Sequence, residues 1–283
     1  LEQINSWRDN LAVNFVSIKS DIDAVELNDL TQRYINSIVF LRVCEDRNLE
    51  EYEALLELSN AADYKSLINK FDLADKKYNS GLFDLPYIKD FFSNKNSYIW
   101  EILKKLYFPE SIYSFSVFSS AILGNIYETF LSETVSIIDG KPKRIPKPEN
   151  VDRDIVTTPI HIVRDILRKT LTPRLDQKDA SQILLTRVAD ISCGSGAFLL
   201  EAYQVMHDAL VDYYILNDTT QLDPIGVNSF KLTFDRKKQL LTNCIFGVDK
   251  DYGATQACKF GLLLKLLEGE DNNTISLPAL PIL

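Results

Sequence analysis

The stretch that decides the fold is TRVADISCGSGAFLLEAY, at residues 186–203. A short apolar run ends in Asp190, a loop of small residues follows, and a helix-forming segment begins at Ala197. Gly194 and Gly196 allow a tight turn and a close approach of the backbone to a ligand, because glycine has no Cβ. The start of the helix offers N–H groups that have no helical partners. The pattern predicts a ligand site where a strand meets a helix.

Phosphate-binding loops do not match this stretch. Position 199 is leucine, where a P-loop (G-x-x-x-x-G-K-[ST]) and a dinucleotide fingerprint (with its third glycine) each need another residue. The stretch also does not contain the G-x-S-x-G pattern of a nucleophile elbow. A carboxylate at the strand tip repels a phosphate and suits an ammonium group, which favours a ligand with an amino-acid-like moiety. Taken alone, the loop is equally compatible with an ordinary strand-to-helix turn.

A second strand that ends in an acid lies further along the chain. Residues 242–268 read TNCIFGVDKDYGATQACKFGLLLKLLE, in which a strand ends at Asp249 and a helix follows. A carboxylate there accepts two hydrogen bonds from a ribose diol in nucleoside-binding sheets. The spacing exceeds the roughly 20 residues of a compact unit, so residues 217–235 are predicted to form an insertion or an extra helix. Lys250 or Tyr252 either covers an adenine ring or is merely solvated.

The first half of the chain has helical periodicity. In LNDLTQRYINSIVFLRVCEDR, apolar residues recur at three- and four-residue spacing on one face, namely at Leu27, Leu30, Tyr34, Ile38 and Leu41. Further helices are predicted at residues 63–71, 98–106 and 118–131. Four charged residues at the end of the first segment are interpreted as a structural ion-pair cluster: Arg42, Glu45, Asp46 and Arg47.

A basic, proline-rich segment separates the two halves. Residues 139–149 read DGKPKRIPKPE, with one glycine, three prolines and four basic residues. This composition does not continue a helix and is typical of an exposed connector, so the main domain boundary is placed here. The alternative is an arm that contacts phosphates through Lys141, Lys143, Arg144 and Lys147.

Beyond this segment, short apolar runs alternate with amphipathic helices. Strands are predicted at residues 187–191 and 244–248, and helices at residues 160–171, 197–214 and 255–267. Parallel strands need helical crossovers of this kind, so the sequence predicts an α/β fold with a mostly parallel sheet.

Composition narrows the range of functions. Two histidines argue against a Ser-His-Asp hydrolase, and four scattered cysteines have neither zinc-site nor disulfide spacing, so no metal is expected. The chain lacks a signal peptide and any apolar run of about 18 residues, which indicates a cytoplasmic protein without a membrane segment. The net charge of −9 repels polyanions, so any contact with nucleic acid must be local or supplied by parts outside this chain.

Three motifs carry a resemblance to a known family. DISCGSGAFLL resembles the first motif, and IFGVDKD the second, of amino-methyltransferases that act on adenine in DNA. Upstream, TTPIHIV at residues 157–163 resembles the T-P-x-x-I-V segment of the same class, whose threonine contacts the methionine end of the cofactor. The matching residue here is Thr158. Val156 and Thr157 stand where many relatives have two tyrosines, so the aromatic contact of those relatives is in question here.

The helical half resembles the same group more narrowly. The segments LNDLTQRYINSIVFLRVCEDR, KYNSGLFD and ILGNIYETFL resemble the helical domain that joins nuclease to methyltransferase in type IIG restriction enzymes. The resemblance implies an all-helical domain at residues 1–140, a basic linker at 141–156 and the first part of a Rossmann-like methyltransferase domain at 157–283. It also implies that the intact enzyme acts on double-stranded DNA, bound mainly by regions outside this chain.

The implied cofactor is S-adenosylmethionine. The resemblance assigns its binding to Thr158, Pro159, Asp190, Ser192, Cys193, Gly194, Ser195, Gly196, Phe198, Asp249 and Lys250. Enzymes of this class bind the flipped adenine with an Asn-Pro-Pro-Tyr or similar motif, but no Pro-Pro dipeptide occurs here. The catalytic motif is therefore expected beyond residue 283, and no residue of the chain is assigned a catalytic role.

Two alternatives remain at this point. One is an S-adenosylmethionine-dependent methyltransferase of a small molecule or protein, which shares the cofactor loop. The other is a non-catalytic scaffold in a phage-defence complex, in which the methyltransferase fold only positions partners.

Overall fold

The computed structural model describes residues 2–78, 83, 91, 97–111, 114–115, 133–147, 158–227, 229–270 and 277–283. The chain divides into two compact units, and the described residues up to 147 belong to the first and those from 158 onward to the second. The predicted helix at 118–131, the ILGNIYETFL motif and most of the KYNSGLFD motif lie outside the described residues. The domain bounds predicted at residues 140 and 157 stay a prediction.

The first unit is mainly helical. Its described elements are helices α1 (Glu2–Ile18), α2 (Ala24–Asp46), α3 (Ala54–Ala61), α4 (Tyr64–Tyr78) and α5 (Tyr98–Lys104), and strands β1 (Glu133–Ile138) and β2 (Lys141–Pro146). The Asp23 carboxylate caps α2 by accepting a hydrogen bond from the Glu26 N–H at 2.7 Å. All five apolar residues of the predicted α2 face are at most 3% exposed, which confirms that face.

Aromatic side chains join these helices into a core. The Tyr34 hydroxyl on α2 donates to the Ile99 carbonyl on α5 at 2.8 Å. The rings of Phe40 and Tyr78 meet edge to face, with centroids 5.0 Å apart. Such pairs add to the stability that burial of the rings supplies, and they fix α2 against α4 and α5. The helices predicted at 63–71 and 98–106 are confirmed, and α4 continues to Tyr78.

An antiparallel hairpin packs against the helices of the first unit. Strands β1 and β2 pair from Glu133↔Pro146 to Ile138↔Lys141, around an Asp139-Gly140 turn in which both residues have positive φ. Asn28 on α2 donates to the Val135 carbonyl at 2.5 Å and accepts from the Val135 N–H at 2.7 Å. These contacts hold the hairpin on the helical core.

This hairpin corrects two predictions. The all-helical first domain is wrong because the unit includes β1 and β2, and the exposed loop is wrong for residues 141–146, which form β2. The proline content suggested a connector, but proline is tolerated on the edge strand of a two-stranded ribbon. The Asp-Gly dipeptide is typical of a hairpin turn and was the available signal for the observed structure.

The second unit mixes helices and short strands. Its described elements are α6 (Ile160–Thr170), α7 (Thr172–Leu175), α8 (Ala180–Leu185), β3 (Val188–Asp190), α9 (Ala197–Asn217), β4 (Leu222–Gly226), β5 (Ser229–Leu232), α10 (Phe234–Cys244), β6 (Ile245–Gly247) and α11 (Tyr252–Leu266). The predicted strands and helices of this half are therefore confirmed as elements, with shifted ends. The chain is of mixed α/β class.

Strands β3 and β6 form a parallel pair. Val188 pairs with Ile245 and Asp190 with Gly247. On the other side of β6, Gly247 bridges to Ile282 in parallel, and the Leu283 N–H donates to the Gly247 carbonyl at 2.9 Å. In the described part of the chain the parallel sheet is limited to these short segments. The larger Rossmann-like sheet of the prediction remains a proposal.

A hairpin lies between α9 and α10. After one turn of 3-10 helix (Thr219–Gln221), β4 and β5 pair antiparallel, with Leu222 opposite Leu232. The extra-helix alternative predicted for residues 217–235 is therefore wrong for residues 222–232, and the insertion stays a prediction. Lys231 on β5 donates to the Gly269 carbonyl at 2.6 Å, which ties the hairpin to the end of α11.

Candidate functional site

The two acids singled out in the sequence lie at the same edge of the parallel sheet. Asp190 is the last residue of β3 and pairs with Gly247, the last residue of β6, and Asp249 follows two residues later. The Val248 N–H donates to the Asp190 carbonyl at 2.9 Å, so the two strands remain joined beyond the ladder. Both carboxylates are partly exposed. The structure therefore brings Asp190 and Asp249 to the same end of the parallel strand pair.

The small-residue loop between β3 and α9 is attached to both strand ends. The Ser192 N–H donates to Oδ1 of Asp190 at 3.1 Å. The Cys193 N–H donates to the Val248 carbonyl at 3.0 Å, and the Gly194 N–H donates to Oδ2 of Asp249 at 2.9 Å. Each bond uses a backbone N–H of the loop, so the loop conformation depends on the two strand ends.

The two glycines of this loop are subject to different steric constraints. Gly194 has φ of +51°, and a Cβ built on it meets nothing within 4 Å, so its outer side faces open space. Gly196 has φ of +91°, and a Cβ there lies 2.6 Å from Sγ of Cys258, so the packing excludes a side chain. Gly196 is the N-cap of α9 and offers no capping side chain, which leaves the first N–H groups of α9 available to a ligand.

Packing behind the loop involves residues that sequence reasoning missed. A Cβ on Gly247 lies 2.8 Å from Leu199 and 3.1 Å from Sγ of Cys193, so only glycine fits at the end of β6. The buried thiol of Cys258 on α11 is hydrogen-bonded to that of Cys193, which lowers the pKa of Cys193 and raises the pKa of Cys258. The small residues of α11 were the available signal for this close approach of helix and loop.

Both acids keep acceptor capacity for a ligand. Oδ1 of Asp249 accepts from the Asp251 N–H at 2.9 Å, and Oδ2 accepts from Gly194. Each carboxylate oxygen has two lone pairs, so both oxygens can accept a further hydrogen bond. Asp190 uses Oδ1 toward Ser192, and no described group bonds to its Oδ2. The pair can therefore bind a cation at one position and a diol at the other.

Exposed apolar residues lie close to the two acids along the chain. Ile191, directly after Asp190, is 82% exposed, and Val248, directly before Asp249, is 47% exposed. Tyr252 at the start of α11 is 54% exposed. Solvent-exposed apolar groups beside a polar crevice suit a ligand that carries a planar ring, because ring binding removes them from water. Sequence reasoning named Tyr252 but missed Ile191 and Val248.

The remaining predicted ligand residues differ in their surroundings. Ser195 is buried, Phe198 is partly exposed, and Ser192 and Lys250 are exposed. Thr158 and Pro159 precede α6, which packs against α9 through an ion pair of Arg164 with Glu201 at 2.7 Å. No hydrogen bond among the described residues joins Thr158 or Pro159 to the loop, so their role stays a prediction.

The charged cluster at the end of α2 has a structural role. Arg42 pairs with Asp46 at 2.5 Å and with Glu45 at 3.5 Å, and its guanidinium lies 4.4 Å from the centre of the Tyr107 ring. Glu45 also accepts from the Tyr107 hydroxyl at 2.5 Å. Burial raises the pKa of Glu45, against the opposing hydrogen bonds. The predicted ion-pair cluster is confirmed for Arg42, Glu45 and Asp46.

The basic residues of β2 are not equivalent. Arg144 pairs with Glu133 at 3.0 Å and with Asp9 at 3.3 Å, so intramolecular carboxylates already occupy its guanidinium. Lys141 and Lys143 are exposed. The described residues contain no group of three or more His, Cys, Asp or Glu side chains that could hold a metal ion. Within the same residues, no helix is long and apolar enough to cross a membrane.

The chain is similar to known restriction-modification proteins in sequence and in fold. No protein-family model matches the chain. Over its whole length the chain is 56% identical to the type II restriction enzyme and methyltransferase RM.Eco57I of Escherichia coli, and it spans 29% of that protein. Its fold resembles that of the type IIL restriction-modification enzyme MmeI, solved in complex with DNA, with a TM-score of 0.51 and 16% identity over 98% of this chain and 39% of MmeI. Over its full length, the chain is therefore similar to one segment of RM.Eco57I that makes up less than a third of that protein.

Proposed function

We propose that this chain is the S-adenosylmethionine-binding part of a DNA adenine-N6 methyltransferase in a type IIG restriction-modification enzyme of the cytoplasm. The observation that supports this most is the pair of acids at adjacent parallel strand ends, with the glycine loop hydrogen-bonded between them. The second support is the similarity to RM.Eco57I, whose name describes both a restriction enzyme and a methyltransferase.

The donor and acceptor groups of the crevice fit this cofactor. The free oxygen of Asp190 suits an ammonium group, and the remaining lone pairs of Asp249 suit the two hydroxyls of a ribose. The uncapped first turn of α9 suits a carboxylate. S-adenosylmethionine carries all three groups, together with a planar ring that Ile191 and Val248 can cover.

The chain's contribution to methyl transfer is positional. When bound, S-adenosylmethionine supplies a methyl group on a sulfonium. The backbone bonds from Cys193 and Gly194 to the second strand hold the loop before a ligand arrives, which reduces the ordering that binding requires. We place the acceptor-binding Asn-Pro-Pro-Tyr-like motif outside these 283 residues and assign no proton transfer to this chain.

DNA is the proposed partner of the whole protein. MmeI was solved in complex with DNA, and a restriction enzyme acts on DNA. The net charge of −9 disfavours a broad DNA contact by this chain, so we propose that other parts of the protein supply most of it. The exposed Lys141 and Lys143 are the proposed local phosphate contacts, whereas Arg144 is held by Glu133 and Asp9.

Calorimetry with the full-length protein tests the cofactor site. We expect Asp190→Ala and Asp249→Ala to weaken binding of S-adenosylmethionine by about tenfold to a hundredfold, because each removes a charged hydrogen-bond partner. The control is Asp212→Ala, which removes an exposed acid from the middle of α9. Unchanged affinity in both site variants would contradict the proposal.

Transfer of a labelled methyl group tests the reaction. We expect N6-methyladenine after digestion of the methylated DNA to nucleosides. Transfer to a protein or small molecule, but not to DNA, would instead support the first alternative. Tight cofactor binding without any transfer would support the scaffold.

A further inference from the structure

The second unit contains an open cleft far from the acid-tipped strands. It lies between α8, the end of α9 and α10, and it has a volume of about 580 Å³. Small-molecule sites commonly have roughly 300–1,000 Å³. Helix α9 has 21 residues, and at about 1.5 Å per residue its two ends are about 30 Å apart. The loop of Gly194 is at one end and this cleft at the other, so the cleft cannot belong to the proposed cofactor site.

A guanidinium group is held in place within the cleft. Arg236 donates from Nε to Oε1 of Gln221 at 2.7 Å and from Nη1 to Oε1 of Gln239 at 2.6 Å. Both acceptors are neutral amides. Among the described residues no carboxylate forms an ion pair with Arg236, and Asp218 is linked to it through Gln221, whose Nε2 donates to Oδ2 of Asp218 at 3.2 Å. The charge is therefore oriented by its neighbours without being neutralised at contact distance, which is the arrangement that an anionic ligand needs.

Aromatic rings and amides line the same cleft. The rings of Tyr213 and Tyr214 meet edge to face, with centroids 5.7 Å apart, and the guanidinium lies 6.0 Å from the centre of the Tyr214 ring. Asn217 and Asn243 are exposed at the rim. Tyrosine faces stack on planar rings, and amide side chains bind the donor and acceptor edges of nucleobases.

One acid limits the charge of the ligand. Asp218 also lines the cleft, and its pKa is lowered first by the Thr220 hydroxyl and also by the charge of Arg236. Its carboxylate repels anions, so it opposes a ligand with several negative charges more strongly than one with a single phosphate.

We propose that this cleft binds one nucleotide unit, with the phosphate on Arg236 and the base against Tyr213. The unit is either a free nucleoside monophosphate or one nucleotide of a single strand. This second site is independent of the proposed cofactor site, because it uses other residues at the opposite end of α9.

Calorimetric titrations of the full-length protein test the proposal with three probes: AMP, a thymidine tetranucleotide and inorganic phosphate. Saturating S-adenosylhomocysteine blocks the proposed cofactor site, and an Asp249→Ala variant serves the same purpose if that compound does not bind. We expect AMP or the tetranucleotide to bind at least tenfold more tightly than phosphate, since the ring adds stacking to the charge contact. Tighter binding of AMP would identify a free nucleoside monophosphate as the ligand, and tighter binding of the tetranucleotide would identify a nucleotide of a single strand.

Variants then assign the binding to the cleft. We expect Arg236→Gln to weaken binding about tenfold or more and Tyr213→Ser to weaken it several-fold. Arg174→Gln, an exposed arginine on α7, is the matched control. Thermal unfolding confirms that each variant is folded.

Two results would overturn the proposal. They are equal affinity for AMP, the tetranucleotide and phosphate, and unchanged binding in both Arg236→Gln and Tyr213→Ser. Failure of these tests leaves the cofactor proposal intact, since no residue of the cleft contacts the glycine loop.

Discussion

The Gly194 N–H donates a hydrogen bond to Oδ2 of Asp249 at 2.9 Å, across the gap between the first loop and the second strand. Asp249 thereby does two things in the proposed site. It offers lone pairs to a ribose, and it holds the loop that surrounds the methionine end of the cofactor. The residues 194 and 249 are far apart in sequence, and their contact joins the two motifs into one site.

Asp249→Asn separates these two roles. An amide keeps one acceptor oxygen but presents an NH₂ group to either Gly194 or Asp251, both of which donate to the carboxylate in the wild type. We expect about tenfold weaker cofactor binding, together with faster hydrogen exchange at the Gly194 or the Asp251 amide in the absence of cofactor. Asp212→Asn is the control. Slow exchange at both amides in the Asp249→Asn variant would contradict the loop-holding role.

Alanine at Gly196 should mainly lower the free energy of unfolding, whereas alanine at Gly194 should mainly weaken cofactor binding. Gly196→Ala places a Cβ 2.6 Å from the buried Cys258 thiol in a positive-φ conformation, so we expect a loss of about 1–3 kcal/mol in the free energy of unfolding. Gly194→Ala has open space and should lose only about 1 kcal/mol, yet it should weaken cofactor binding, because its Cβ enters the ligand crevice. Denaturant unfolding and calorimetry distinguish the two. A larger stability loss in Gly194→Ala would show that the crevice is assigned to the wrong side of the loop.

The local elements were predictable because their signals are local. The periodicity of α2 predicted its buried face, and the apolar runs before Asp190 and Asp249 predicted β3 and β6. The hairpin of β1 and β2 was missed because the proline content indicated a connector and the Asp-Gly turn was not considered. The packing of Cys258 against Gly196 depends on the approach of α11 to the loop, which no short motif encodes. For the same reason, the bond from Gly194 to Asp249 was not predicted, although both residues were.

The first unit should lose stability in acid through Glu50. Burial raises the pKa of Glu50, but hydrogen bonds from Lys70 at 2.6 Å, Lys77 at 2.7 Å and Tyr78 at 2.6 Å outweigh it, so the pKa lies below its ordinary 4.5. The stabilisation is fully present above pH 4.5 and is lost as the pH falls through the lowered folded-state value.

Glu50→Gln tests this pH dependence. We expect it to cost about 1–3 kcal/mol at pH 7 and to reduce the decrease in Tm between pH 7 and the acidic range. Glu51→Gln, an exposed neighbour, should change neither quantity. An equally steep acid dependence in the Glu50→Gln variant would show that other groups cause it.

Cys193 should be the first thiol to be alkylated. Burial raises the pKa of Cys44 to about 12 and that of Cys244 to about 11, whereas the hydrogen bond from Cys258 lowers the pKa of Cys193. The thiolate is the reactive form, so at pH 8 iodoacetamide should label Cys193 before the other three cysteines, as measured by mass spectrometry of digested protein. Cys258→Ala removes the hydrogen bond and should slow the labelling, and saturating S-adenosylmethionine should slow it in the wild type by covering the loop. Labelling of Cys44 or Cys244 first would contradict the role of the thiol pair, and a rate that S-adenosylmethionine leaves unchanged would argue against cofactor binding at this loop.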